Sequence, residues 1–416
     1  MMRFLQLPHG MSVTFLASFL TSGLASISLL VVALILTPTD VADVRVLQAI
    51  IAIGLVISGM GYTTGLLKVC AESSSPTVRE SYLRKVVRHT TIASLMYLPL
   101  VLLGASMGAL GARYEEIRPA LLLALACVPL AVATENFRNF LYAERRFGDA
   151  ARAQIAVRLA SFVATIAATK FFGLNGFLLG TLASHFLGAA MFSREITNPY
   201  RQAAPINFPS YFLRFSSFAM LGNLFVILAN YGDMLLLSIM SSDRDALGAY
   251  ALASACLGGL MIVTTSFQTV LLPDMIDMRK GKNWLRANFI RQQLRLAVLS
   301  LVAAALASGI VAILLPALYR SSFQMTPSLF FGLCISYLLV SLGTLAGTVF
   351  MGLGRTSVNT LVAGIALLAA FFIAFWAIRE NGVWGMVAGK ITYGLIVCLL
   401  GNFLVWRELK SEIDKV

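Results

Sequence analysis

GLNGFLLG, residues Gly173 to Gly180, lies within an apolar stretch that otherwise continues from 150 to 193. That stretch is too long for one membrane crossing, which takes about 20 residues. Gly173, Asn175 and Gly176 therefore read as the turn between two spans, 150–172 and 173–193. The pattern returns 209 residues later as GVWGMVAG, Gly382 to Gly389. Gly173 aligns with Gly382, Gly176 with Gly385 and Gly180 with Gly389. Arg146 aligns with Arg355 at the same offset, each just before the penultimate helix of its half. At a slightly different offset LTPTDVADVRVLQA (Leu36 to Ala49) parallels IMSSDRDALGAYALA (Ile239 to Ala253). Glycine is common in membrane helices, so chance spacing is the competing explanation. Agreement of three glycines and an arginine in equivalent places favours a duplication.

The rest of the chain fits that reading. It has 416 residues, 58% hydrophobic and 12% charged, with mean hydropathy +0.83. A soluble domain needs far more polar surface. The apolar runs predict spans at 12–36, 44–67, 90–112, 119–143, 150–172, 173–193, 215–240, 246–272, 294–319, 326–350, 357–378 and 383–406. Backbone polar groups in lipid must be satisfied within their own segment, so the spans are helices. The first run, Met11 to Thr37, is too long for the apolar core of a signal peptide and reads as the first membrane helix. The expected fold is all-α: a polytopic membrane protein of about twelve transmembrane helices in two pseudo-symmetric six-helix bundles, 1–200 and 201–416. An even number of spans per half gives both halves one orientation. Parallel repeats with a site between them are a transporter architecture.

The net charge of +13 is not spread evenly. With the N-terminus inside, lysines and arginines favour the cytoplasmic loops by about three to one. Lys68, Arg79, Arg84, Lys85 and Arg88 share one such loop, and Arg279, Lys280, Lys282, Arg286, Arg291 and Arg295 another. This bias puts both termini in the cytoplasm. It also explains the basic composition by anionic headgroups, with no nucleic-acid partner. Residues 76–89 and 278–293 are amphipathic and read as short interfacial helices. Cys70, Cys127, Cys256, Cys334 and Cys398 are widely separated, without metal-ligand or disulfide spacing. No metal or cofactor is called for.

The chain resembles the polysaccharide transporter family, the O-antigen and exopolysaccharide lipid-linked oligosaccharide flippases of the multidrug/oligosaccharidyl-lipid/polysaccharide superfamily. The likeness covers nearly the whole length. It rests on LTPTDVADVRVLQA and on the strip from Phe140 through Arg146, Phe147 and Gln154 into GLNGFLLG. It rests also on RFSSFAMLGNLFVILANYGDMLLLS (Arg214 to Ser238) and on LGAYALASACLGGLMIVTTSFQTVLLPDM (Leu247 to Met275), with its Leu272–Pro273 pair. Val44 and Arg45 stand where the family's glycine is expected in the first outside turn. The first helix has no acid, which argues against a cation antiporter of the multidrug branch. The resemblance implies flipping of a polyprenyl (undecaprenyl-type) diphosphate-linked oligosaccharide across the bacterial inner membrane for O-antigen, capsule or exopolysaccharide. A polysaccharide polymerase and a chain-length regulator would be further partners.

Such a substrate needs cations for its phosphates and hydrogen-bonding groups for its sugars. Arginine suits phosphate because its planar fork binds two oxygens at once. Ionisable groups inside a membrane cost about 2.5–3.5 kcal/mol each on insertion scales, which makes them functional candidates. Arg138, Arg158 and Lys390 are the candidates for the headgroup. The competing roles are pairing of Arg138 with Glu135 and snorkelling of Arg158 and Lys390 to an interface. Asp233, Glu135 and His185 are the candidates for ion coupling or gating. Asp233 follows Asn223 and Asn230 in a polar stripe, and its alternative is an ion pair with Lys390. A lone histidine such as His185 is more often a packing residue. Ser18, Thr21 and Ser22, like Ser341, Thr344 and Thr348, recur at helical spacing, which suits either sugar hydroxyls or close helix contacts.

Two other classes stay open. One is a multidrug or small-solute cation-coupled antiporter on the same scaffold. The other is a membrane glycosyltransferase or polymerase, for which Asp40 and Asp43 would be the metal-holding acids. The very short loop around them, the lack of a large outer domain and the fit of Asp40 to a helix cap argue against an enzyme.

Overall fold

The computed structural model describes residues 9–73, 75–109, 114–196, 206–276, 282–319, 323–352 and 355–410. In chain order the helices are α1 (His9–Ala33), α2 (Pro38–Gly59), α3 (Tyr62–Glu72), α4 (Pro76–Gly104), α5 (Tyr114–Ala143), α6 (Phe147–Glu195), α7 (Ser210–Met240), α8 (Arg244–Ile276), α9 (Lys282–Tyr319), α10 (Thr326–Gly352), α11 (Thr356–Asn381) and α12 (Val383–Lys410). A π-helical turn, Ala105–Ala109, extends α4. The described residues contain no strand. Among them, ten helices are long and apolar enough to cross a membrane by length and composition. In that count α6 stands once although it doubles back, and α1 enters only as the short segment Leu20–Ala33. The protein is the all-α, multi-pass membrane protein that the hydropathy pattern predicts.

The reversal within α6 occurs at Gly173, with φ 57° and ψ −133°. This region is closed to residues with a Cβ and open to glycine. Its arms then lie back to back, with Ser161 Oγ donating to Ser184 Oγ at 2.6 Å. Gly176 permits the approach: a Cβ there would stand 2.0 Å from the Ala168 carbonyl oxygen. The α11–α12 turn has the same build. Gly382 has φ 54° and ψ −131°, and a Cβ on Gly385 would lie 2.3 Å from the Ala377 carbonyl carbon. Gly180 packs on Thr165 as Gly389 packs on Ala374. The Arg146 N–H donates to the Leu141 carbonyl at 2.9 Å, and that of Arg355 to Phe350 at 2.8 Å. Two corners of the chain therefore share backbone geometry and contacts at one offset. Pseudo-symmetry of the entire halves 1–200 and 201–416 remains a proposal resting on these matches.

The chain divides into two compact units, Met1–Leu36 with Asp43–Ile239, and Thr37–Ala42 with Met240–Val416. In the first, residues of α3 to α7 build an apolar cluster around Leu66, Leu83, Phe140, Leu141 and Phe212. In the second, Phe289, Leu296, Leu345, Val349, Phe350 and Val405 form an apolar cluster of their own. At the α5–α6 corner Arg146 binds Asp149 at 2.8 Å and Glu195 at 3.5 Å. At the related corner Arg355 pairs with Glu408.

Two segments differ from the sequence expectation. Residues 76–89 do not form a separate interfacial helix. They are the first turns of α4, which continues past them because no glycine or proline intervenes between Pro76 and Pro99. Likewise 282–293 belong to α9, and 278–281 lie outside the described residues. The short separate helix is α3 instead. The expected span 44–67 stops at Gly59, because Met60 and Gly61 take φ of 50° and 66° and turn the chain.

Candidate functional site

Within the first unit, a cavity of about 410 Å³ lies among α1, α2, both arms of α6 and α7. Leu24, Leu29, Ile51, Leu55, Phe162 and Phe177 give it apolar walls. Polar groups come from Ser28, Gln48, Ser161, Thr165, Thr181, Ser184 and Tyr231. Arg158 and His185 also line it, and no aspartate or glutamate does. The wall is therefore rich in donors and net positive. Doubling back of α6 is what joins Arg158 on one arm to His185 on the other.

Arg158 forms no ion pair or hydrogen bond with a described residue. Electrostatically it senses Tyr231 and Arg138. It stands about 16 Å along the helix from Phe147, at 1.5 Å per residue. That is close to half of a ~30 Å hydrocarbon layer. His185 senses Arg158, and the His185 carbonyl accepts a hydrogen bond from Thr134 Oγ1 at 3.2 Å. Its ring makes no hydrogen bond among the described residues.

Glu135 and Arg138 form the ion pair their spacing allows, at 2.5 Å. Arg138 also lies over the Tyr142 ring at 6.0 Å, and its Nε is buried without an acceptor. Glu135 lines a second cavity of about 130 Å³ with Thr63, Met220 and Asn223. Leu55 of α2 belongs to both cavities, so they are neighbours on that helix. Asp233 is buried on α7, where Oδ1 accepts from the Met234 N–H at 2.8 Å, and it lines neither cavity. Lys390 lies on α12 in the second unit, where its carbonyl accepts from Ser336 Oγ at 2.8 Å. The structure thus joins Arg158 with His185 and Glu135 with Arg138.

Of the serine and threonine stripes, Thr21 and Ser341 make hydrogen bonds to neighbouring helices. Thr21 Oγ1 accepts from Gln154 Nε2 at 3.0 Å, and Ser341 Oγ lies 2.9 Å from Thr264 Oγ1. Thr348 is buried, Ser22 is exposed, and the side chain of Ser18 lies outside the described residues. Asp40 closes a capping box at α2: Thr37 Oγ1 donates to its carboxylate at 2.7 Å and accepts from its N–H at 3.2 Å. The described residues include no group of three or more histidine, cysteine or acidic side chains able to hold a metal ion.

Sequence reasoning missed Gln48 and Tyr231, and treated Arg45 as a loop cation. Arg45 and Gln48 are three apart on α2 and share a face, a signal visible once the helix is known to start at Pro38. Tyr231 has no such signal.

The chain matches solved structures along nearly all of its length. The lipid II flippase MurJ in an inward closed conformation aligns with TM-score 0.76 and 14% identity, over 94% of this chain and 87% of that one. An inward-facing multidrug resistance MATE family transporter of the MOP superfamily gives TM-score 0.71 and 17% identity, over 94% and 96%. A variant of the Vibrio cholerae MATE transporter VcmN gives 0.68 and 14%, over 98% and 97%. Identities this low speak for the fold alone. Comparison with curated proteins gives no match. The model of a family described as polysaccharide biosynthesis protein matches residues 7–279, well over half of the sequence. On that match, and with this fold, the chain belongs to the polysaccharide biosynthesis protein family.

Proposed function

We propose that this protein flips a polyprenyl diphosphate-linked oligosaccharide repeat unit across the bacterial inner membrane by alternating access, with both termini in the cytoplasm. The product would be a surface polysaccharide: O-antigen, capsule or exopolysaccharide. The reading treats the chain as a transporter and not an enzyme. The observation that carries it is Arg158, a cation without an acidic partner among the described residues, in a cavity without carboxylates. A guanidinium at that depth is costly unless an anion visits it, and a diphosphate fits its fork. The lipid tail stays in the bilayer while the headgroup enters the cavity. Arg138 is the second headgroup cation once released from Glu135, and Lys390 is the third residue proposed for headgroup binding. Glu135, His185 and Asp233 are the groups proposed for ion coupling or gating. A polymerase and a chain-length regulator are the partners proposed to act on the flipped unit.

Deletion of the gene tests the proposal. Surface polysaccharide should be lost while the lipid-linked repeat unit accumulates inside; normal surface sugar would sink it. The shared fold with MATE transporters supports a second reading, a cation-coupled antiporter. Efflux-dependent drug resistance with unchanged surface polysaccharide would favour that reading.

A further inference from the structure

Arg45 lies outside the larger cavity yet fixes two side chains that line it. Its Nη1 donates to Gln48 Oε1 at 3.1 Å, and its guanidinium lies 5.1 Å from the centroid of the Tyr231 ring. Both distances are in the range of real interactions. An arginine offers donors only, so the oxygen of the Gln48 amide must face it and the NH2 must face away. Gln48 Nε2 makes no hydrogen bond among the described residues. Gln48 and Tyr231 line the same cavity as Arg158, and Tyr231 is within electrostatic range of Arg158.

We propose that Arg45 is a positioning residue that holds Gln48 and Tyr231 as a sugar-reading wall beside the phosphate-binding Arg158. This rests on the flippase reading above and adds a place for the first sugar. The fixed amide presents a donor to a sugar oxygen. Arg45 also polarises that amide, which strengthens the donor. The Tyr231 ring, held by the cation, offers its remaining apolar surface to a pyranose. The Thr181 hydroxyl donates to the Phe177 carbonyl, whereas the Gln48 NH2 is a donor on this wall that no described residue occupies.

Two probes test this with the purified full-length protein: farnesyl diphosphate, and the same lipid diphosphate carrying one N-acetylglucosamine. Calorimetry in detergent gives both Kd values. Unaltered protein should bind the sugar-bearing probe more tightly. Gln48→Leu should weaken that probe about 3–10-fold, the loss of one hydrogen bond, and leave the sugar-free probe unchanged. Arg45→Ala should have the same selective effect, and Arg45→Lys should restore part of the difference. A merely structural role would shift both probes together or neither, and either result overturns the inference while the flippase reading stands. Failure of the unaltered protein to bind either probe would remove the phosphate-binding reading and this inference with it.

Discussion

Replacing Arg158 with methionine should make the protein more stable and less active. The side chain has no ion pair or hydrogen bond among the described residues, so its removal breaks no such contact there. It stands about three turns inside α6, where a charge costs roughly 2.5–3.5 kcal/mol on insertion scales. Relief of even part of that raises the melting temperature in detergent. Transport moves the other way. A charged hydrogen bond contributes about 1.5–3 kcal/mol, so losing the phosphate contact should slow flipping about 10–150-fold. The assay pair is thermal unfolding of the purified protein and surface polysaccharide in a deletion strain carrying the variant at equal abundance. Arg158→Lys keeps the charge but not the fork, and should fall between the two. Full activity of Arg158→Met would refute the anion-binding argument. A marked loss of stability would refute the claim that the arginine is held for function and not for packing.

Three further outcomes follow from the geometry. Arg138→Gln and Glu135→Gln should each impair export and destabilise by about 1–3 kcal/mol, because each leaves one charge of a half-buried pair behind. The double variant should regain stability but not export, and full export by the double variant would remove both residues from the proposal. Gly176→Val and Gly385→Val should each splay a helix turn, at about 1–3 kcal/mol or more, seen as a lower melting temperature; unchanged stability of both would contradict the close approach. Burial pushes the Cys70 thiol of α3 up to about 12. In a variant retaining only this cysteine, maleimide labelling at pH 7–8 should be slow, and should rise with pH as thiolate forms; fast labelling at pH 7 would show that the α3 packing is open.

Hydropathy runs alone determined the all-α membrane fold, because continuous apolar runs of about 20 residues have the length of spanning helices, which satisfy their own backbone polar groups in lipid. GLNGFLLG and GVWGMVAG located both turns, since a positive φ combined with the ψ of −133° at Gly173 and −131° at Gly382 is open to glycine alone. The Glu135–Arg138 pair was also legible, because residues three apart on a helix are neighbours. The break after Gly59 was not, since nothing in an apolar run marks Met60 as a residue with positive φ. Nor was the cavity. Arg158 and His185 are joined only because the arms of α6 fold back on each other, and Gln48 and Tyr231 only because α2 and α7 face the same space. Sequence periodicity reports which face of one helix is polar. Which faces meet around a void is decided by side-chain packing between helices distant in the chain, and that information exists only in the tertiary structure.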